Sequence, residues 1–474
     1  MNHTTLALAA ATLLLAGCAS FPTDGGFGAV QQLTRERTGQ TPTRLTQPAE
    51  QATAQARIAE LLKQPLSADS AVEVALLNNR GLQAGFAELG IAEADLVQAG
   101  RLRGPSLSFG RLAGGGIVEI NRAVIFNLLG LLTLPTATRI EQGRFEQAQL
   151  QAAYEAVGLA AAARRAFFRA VAAQELVTYG AQVKEAADAS NELARRMLQA
   201  GNFSKLQQMR EQAFFADATS QLARAMHQAV AEREGLTRLL GLSGDPQAFM
   251  LPDRLPDLPS LPVEAKDAEQ TAMDKRLDVL IAKRSAEGVA QSLGATQATR
   301  WINALDVGYQ NKSLTGERRQ NGYQIDLELP LFDFGASPSP RVARAEAAYL
   351  QAVHRAADVA NNARSEVRES YSAYRTAYDL ARHYRDEVVP LRKRISDENL
   401  VRYNGMLSSV FELLADARDQ VGSVTGYVEA LRDHWIAAAD LQTALTGRSP
   451  DGAGKTNPLS RPRAGGPTAA GPGH

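Results

Sequence analysis

The sequence predicts a mainly α protein with a smaller β portion: duplicated long antiparallel helix hairpins of coiled-coil type, carrying four strands per chain. Three observations predict it. An apolar ladder with alternating three- and four-residue steps occurs twice, displaced by the 204 positions that separate Gly201 from Gly405. Proline is absent between Pro135 and Pro246, and only Pro390 lies between Pro340 and Pro450, so each stretch has room for unusually long helices. Between these stretches the hydropathy period shortens to two, the period of an amphipathic strand.

Composition narrows the function classes. The 474 residues hold 51 Lys+Arg against 51 Asp+Glu with no basic stripe, so nucleic acid is not an expected partner. Aromatic residues are only 6%, which disfavours a large aromatic-rich enzyme core. Cys18 is the single cysteine, so there is no intramolecular disulfide and no thiolate metal cage. It closes a leader: Leu6 to Ala16 is a Leu/Ala run broken only by Thr12, too short to span a bilayer, and residues 1–17 read as a signal peptide. The closing Leu15-Ala16-Gly17-Cys18 resembles the lipobox of bacterial lipoproteins, although no Lys or Arg precedes Arg35. That resemblance implies cleavage before Cys18 and a palmitate-bearing amino-terminal segment over 18–64, with Ala19-Ser20 directing it to the outer membrane. The alternative is an ordinary signal peptide followed by a free cysteine.

The first structural repeat spans 65–243: a helix, a β-hairpin at about 105–130, and a long helix pair with its tip near Gly201. Its ladder is Leu206, Met209, Ala213, Ala216, Ser220, Ala223, His227 and Val230. Residues 244–264 form a proline-rich linker. The second repeat, 265–447, has its hairpin at about 302–332 and its tip near Gly405, with the ladder Val410, Leu413, Ala417, Gln420, Val424, Tyr427, Leu431 and His434. Such ladders are coiled-coil seams, and both tip glycines are expected in the left-handed conformation that ends a helix. Arg144 to Gln199 alone would make a helix about 80 Å long. His227 and His434 lie on the seams without a second ligand at helical spacing, so they are expected to be packed rather than metal-bound. The Gly/Pro/Arg-rich tail, 448–474, reads as disordered.

In the second hairpin Tyr323, Ile325, Leu327 and Leu329 alternate with Gln324, Asp326 and Glu328, and Leu305 to Gln310 alternate likewise. Their counterparts are Pro105–Arg111 and Val118–Leu128, joined by Gly114-Gly115-Gly116, with poorer alternation. This pattern alone favours a half-buried antiparallel sheet in a soluble domain over membrane strands, since alternation is a weak membrane signal. Arithmetic couples the membrane reading to assembly. Four strands cannot close a barrel, an open edge is not tolerated in lipid, and a cyclic trimer would supply about 12 strands.

Leu329-Pro330-Leu331-Phe332-Asp333-Phe334-Gly335, Leu76-Leu77-Asn78-Asn79-Arg80-Gly81-Leu82 and Lys275-Arg276-Leu277-Asp278-Val279 together resemble motifs of the TolC family of outer membrane efflux proteins, in its lipoprotein branch. Arg80 stands where that family usually has proline, and the third motif also lacks its proline. The resemblance covers roughly residues 65 to 447 and implies a homotrimeric tunnel: a 12-stranded β-barrel in the cell outer membrane continuing into a helical barrel in the periplasm. It implies as partners a periplasmic adaptor (membrane fusion) protein, an inner-membrane pump of the RND type and the lipid bilayer. Gln324, Asp326 and Glu328 would face the lumen. Glu412 and Asp416, just after the second tip, are candidates for acidic rings at the periplasmic aperture, with Arg402 tying the closed state. The bland reading makes all three solvated surface charges. No catalytic, metal or cofactor residues are expected, and heavy-metal cations, cationic organics and drugs all remain compatible cargo. Two competitors from other classes are a structural coiled-coil envelope lipoprotein without channel activity and a lipid-anchored enzyme, for which no catalytic constellation is present.

Overall fold

Residues 24–243, 249–330, 339–405, 407 and 410–449 are described by the computed structural model. The Cys18 lipobox, residues 331–335 of the hairpin motif and the tail from 450 therefore lie outside the described residues. Helices α1 (Phe27–Thr38) and α2 (Pro48–Leu61) form the amino-terminal segment. The first repeat follows as α3 (Ala68–Asn78), α4 (Arg80–Ala99), β1 (Ser106–Gly114), β2 (Ile117–Asn127), α5 (Leu128–Gln199) and α6 (Lys205–Leu239). The second repeats that order with α7 (Ala268–Lys275), α8 (Leu277–Ala298), β3 (Ala304–Leu314), β4 (Gln320–Glu328), α9 (Pro340–His383), α10 (Val389–Asn404) and α11 (Val410–Thr446).

Helix α5 has 72 residues, roughly 110 Å at 1.5 Å per residue. It starts directly where β2 ends, because the Asn127 side chain accepts the Gly130 N–H and caps it. Pro135 lies inside this helix near its start, where its missing N–H costs one ladder bond, so it does not mark the boundary that its position in the sequence suggests. The alanine-rich composition finds its use on α5. Ala152, Ala153, Ala156, Ala160 and Ala163 are buried, which lets α3 (Val72, Ala75, Leu76) and α11 (Val428, Leu431) contribute to one close-packed core with it. Pro390 is accommodated differently: a π-helical segment, Tyr384–Val388, joins α9 to α10 just ahead of it.

The motif Asn78-Asn79 works without the usual proline. Asn79 is in extended backbone and its side chain caps α4 through the Leu82 N–H at 3.1 Å. The Asn78 amide donates to the carbonyls of Leu240 and Gly241, and that of Asn79 to Leu239, so the pair also closes the carboxyl end of α6. Gly241 has φ 67°, and a Cβ there would sit 2.7 Å from the Asn78 carbonyl oxygen, so only glycine fits. In the second repeat the break falls at Arg276, and the Leu277 N–H donates to Gly447 O at 2.9 Å. Arg37 from α1 completes that junction by donating to Thr446 O and Lys275 O, the ends of α11 and α7.

The two tips differ. Gly201 is left-handed (φ 78°) and the Asn202 N–H reaches back to Met197 O at 2.9 Å, closing α5 as expected. Gly405 is not left-handed: its φ is −82°. The corresponding bond runs from the Leu407 N–H to Arg402 O at 2.8 Å, one residue later than the 204-residue displacement requires.

The ladders differ too. On α11 Val424 and Tyr427 are half-buried while Leu431 and His434 are buried, as a seam requires. On α6 the ladder faces outward, and Leu206 and Val230 are 60% and 61% exposed. His227 is exposed, not packed. Helix α6 instead buries Glu211, Ala218 and Leu236, with Phe214 and Phe215 half-buried. It carries two apolar stripes, and a single chain covers only one of them.

Candidate functional site

The four strands form one antiparallel sheet in the order β1-β2-β3-β4. Its register sorts the side chains that sequence alternation left ambiguous in the first hairpin. Leu107, Val124, Tyr309 and Tyr323 fall in one cross-strand row, and Phe126, Val307 and Ile325 in the next, all on the same face as Leu305 and Leu327. This apolar face is open to the surroundings: Tyr323 is 81%, Ile325 61% and Leu327 52% exposed. Leu131, Leu132 and Trp301, just beyond the strand ends, are exposed too, and Arg300 stacks on Trp301 at 4.6 Å. The outer edges of β1 and β4 pair with no other strand among the described residues.

The opposite face is polar. Gln324, Asp326 and Glu328 lie on it together, and the Gln324 amide donates to both Asp326 oxygens at 3.0 and 2.8 Å. Directly across from Asp326 is Asp306, which the sequence analysis did not single out because strand register is needed to pair them. Asn127 donates to Asp306 at 2.8 Å and Asn303 to Glu328 at 3.3 Å, so neighbouring amides steady these carboxylates. Nearer the loops, Lys312 is paired with Glu119 at 2.8 Å. The face as a whole suits water, with its negative groups gathered toward the helical end.

At the second tip, Arg402 is exposed at the end of α10, Glu412 is exposed in the first turn of α11, and Asp416 follows one helical turn on and is half-buried. Deeper along the bundle lies a polar contact that sequence periodicity could not reveal. Glu211 of α6, 2% exposed, accepts from Ser190 Oγ of α5 and from Arg418 of α11, both at 2.8 Å, while the guanidinium stacks on Phe214 at 4.4 Å. The two repeats are thereby tied together by a charge-assisted hydrogen bond below the tips.

A second tie sits around His434. Its ring is fully buried against Tyr374, Tyr378 and Trp435, with neither nitrogen hydrogen-bonded among the described residues, and burial lowers its pKa to about 4. These aromatics strap down the proline-rich linker: Tyr378 Oη donates to Ser260 O at 2.9 Å, Trp435 Nε1 to Pro256 O at 3.0 Å, and the Val263 N–H donates to Tyr374 Oη at 2.9 Å. Among the described residues no His/Cys/Asp/Glu group is arranged to hold a metal ion, and no helix is long and apolar enough to cross a membrane.

No family model and no curated protein sequence matches the chain. Solved structures do. The outer-membrane channel OprN is 17% identical, with 88% of this chain and 95% of that one covered and a TM-score of 0.68. The CmeC outer membrane channel of Campylobacter jejuni is 15% identical over 81% of this chain and 86% of its own, with a TM-score of 0.67. The MtrE outer membrane channel of Neisseria gonorrhoeae, solved in its open state, is 15% identical over 82% and 89%, with a TM-score of 0.66.

Proposed function

From the premise that this chain has the fold of TolC-type outer membrane channels, we propose that it is the protomer of a trimeric efflux conduit in the outer membrane. The observation that carries this reading is the sheet: apolar on one face, polar on the other, and, among the described residues, unpaired at both edges. Such a sheet is stable in lipid only if copies join edge to edge, and three copies would close a barrel of about 12 strands with its polar face inward. The apolar stripe left uncovered on α6 supports the same assembly, since a neighbouring protomer would cover it.

In this reading the channel does no covalent chemistry. Asp306, Asp326 and Glu328 line the wall of a wet lumen and Glu412 and Asp416 ring the periplasmic aperture, where carboxylates favour cations over anions. Arg402 holds the closed state against a neighbouring helix. Cys18 carries the lipid anchor, a periplasmic adaptor docks on the helical barrel, and an inner-membrane pump of the RND type selects the cargo, whether metal cation or organic compound. The test is direct. Protein extracted in detergent should run as a heat-modifiable trimer and give discrete conductance steps in planar bilayers. A folded monomer, or an intact trimer with no conductance, overturns the channel reading in favour of a soluble sheet or a structural tether.

A further inference from the structure

The apolar face of the sheet carries two cations where a membrane-facing surface should carry none. Arg122 lies one row beyond the Tyr309–Tyr323 pair toward the loops, opposite Phe109 on one side and Asn311 on the other. Arg111 is opposite Ile120, so it is the diagonal neighbour of Arg122 on the same face, with backbones roughly 7 Å apart. Both are exposed. Arg122 spends one donor on Asn311 Oδ1 at 3.2 Å, and among the described residues neither arginine forms an ion pair with a carboxylate. Arg318 and Arg319 add two exposed cations in the loop that joins β3 to β4.

The asymmetry with the other face decides the argument. There, in water, Lys312 is neutralised by Glu119 at 2.8 Å. A charge is costlier on the lipid side, so pairing would be expected there first. The arrangement is consistent only if the surroundings supply the anion. Tyrosines sit where hydrocarbon gives way to headgroups, and a guanidinium one row farther out is at headgroup level, presenting a planar fork of donors that matches phosphate oxygens in two-point contact.

We propose that Arg111 and Arg122 form a binding site for the phosphate of an anionic lipid headgroup at the outer rim of the barrel, with Phe109 beside Arg122 and Leu107 and Val124, one row nearer the helices, contacting the acyl region. This rests on the barrel reading above. One site per protomer gives three around the rim, each clamping the annular lipid against a strand edge where protomers join.

The test uses the full-length trimer in detergent, titrated with the diphosphorylated glycolipid lipid A and followed by native mass spectrometry. Wild type should retain lipid A, and the double variant Arg111→Gln/Arg122→Gln should bind it about tenfold more weakly, equivalent to roughly 1.4 kcal/mol. Lys312→Gln, on the polar face, should bind as wild type does. Inorganic phosphate in excess should not displace the lipid. Equal binding by wild type and the double variant, or displacement by inorganic phosphate, overturns the lipid site. Conductance of the double variant in planar bilayers separates the two ideas. A conducting trimer with unchanged lipid binding sinks this site and leaves the channel standing, whereas loss of trimer and conductance in wild type itself sinks the channel and the site with it.

Discussion

At His434 the side chain is fully buried and, among the described residues, its two ring nitrogens have no hydrogen-bond partner. Its folded pKa, about 4, lies below the ordinary 6.5 because burial penalises the charged form. A depressed folded value means the unfolded chain takes up the proton first, so the stability this residue contributes is complete above pH 6.5 and is lost as pH falls toward 4. His434→Phe fits the same aromatic surroundings and cannot be protonated; it should flatten the fall in melting temperature across that window, and an unchanged slope would show that the imidazole is not responsible. On the sheet, Ile325→Arg or Leu327→Arg should cost about 2–4 kcal/mol near the bilayer midplane, while Asp326→Asn leaves the heat-modifiable trimer intact. Equal tolerance on both faces would instead favour a soluble sheet. Cys18→Ser should abolish palmitate labelling; labelling that persists excludes this cysteine as the anchor.

Among the elements, the tip hairpins repay comparison because the duplication is imperfect there. Gly201 uses the left-handed freedom of glycine and Gly405 does not, since the closing bond moves on to Leu407. Both turns span five residues, so the second is displaced by one residue relative to its glycine, and this sets where α11 begins to present Glu412 and Asp416. The two residues are four apart on one helix, so three symmetry copies would stack about six carboxylates in two layers. Glu412→Ala combined with Asp416→Ala should weaken cation selectivity and divalent-ion block in single-channel recordings, and Arg402→Ala should raise conductance. If intact trimers show wild-type selectivity, block and conductance, these side chains belong to the solvated surface.

For the whole molecule, the outward ladder of α6 is the most informative mismatch between pattern and packing. Periodicity located Leu206, Met209 and Val230 as a seam; the fold of one chain leaves that seam uncovered. Met209→Glu with Val230→Glu should therefore leave the helical content of the chain unchanged while reducing the trimer fraction in analytical ultracentrifugation. A variant trimer as stable as wild type would mean that the stripe is ordinary exposed surface. Along the same molecule Glu211, Ser190 and Arg418 lock one repeat to the other from inside.

The sequence by itself determined the class of the protein, its duplication, the long helices and the alternation of β3 and β4, because these depend on local periodicity and on where proline and glycine stand. It located Asn78-Asn79 as a motif, yet not its task of closing α6 from across the fold. Tertiary structure alone decided the register that sets Asp306 opposite Asp326, the row that brings Arg111 beside Arg122, and the burial of Glu211. It also decided which of two similar ladders faces inward. Each of these depends on contacts between residues distant in the chain, and a period of 3.5 or 2 fixes only which side chains share a face, never what that face meets.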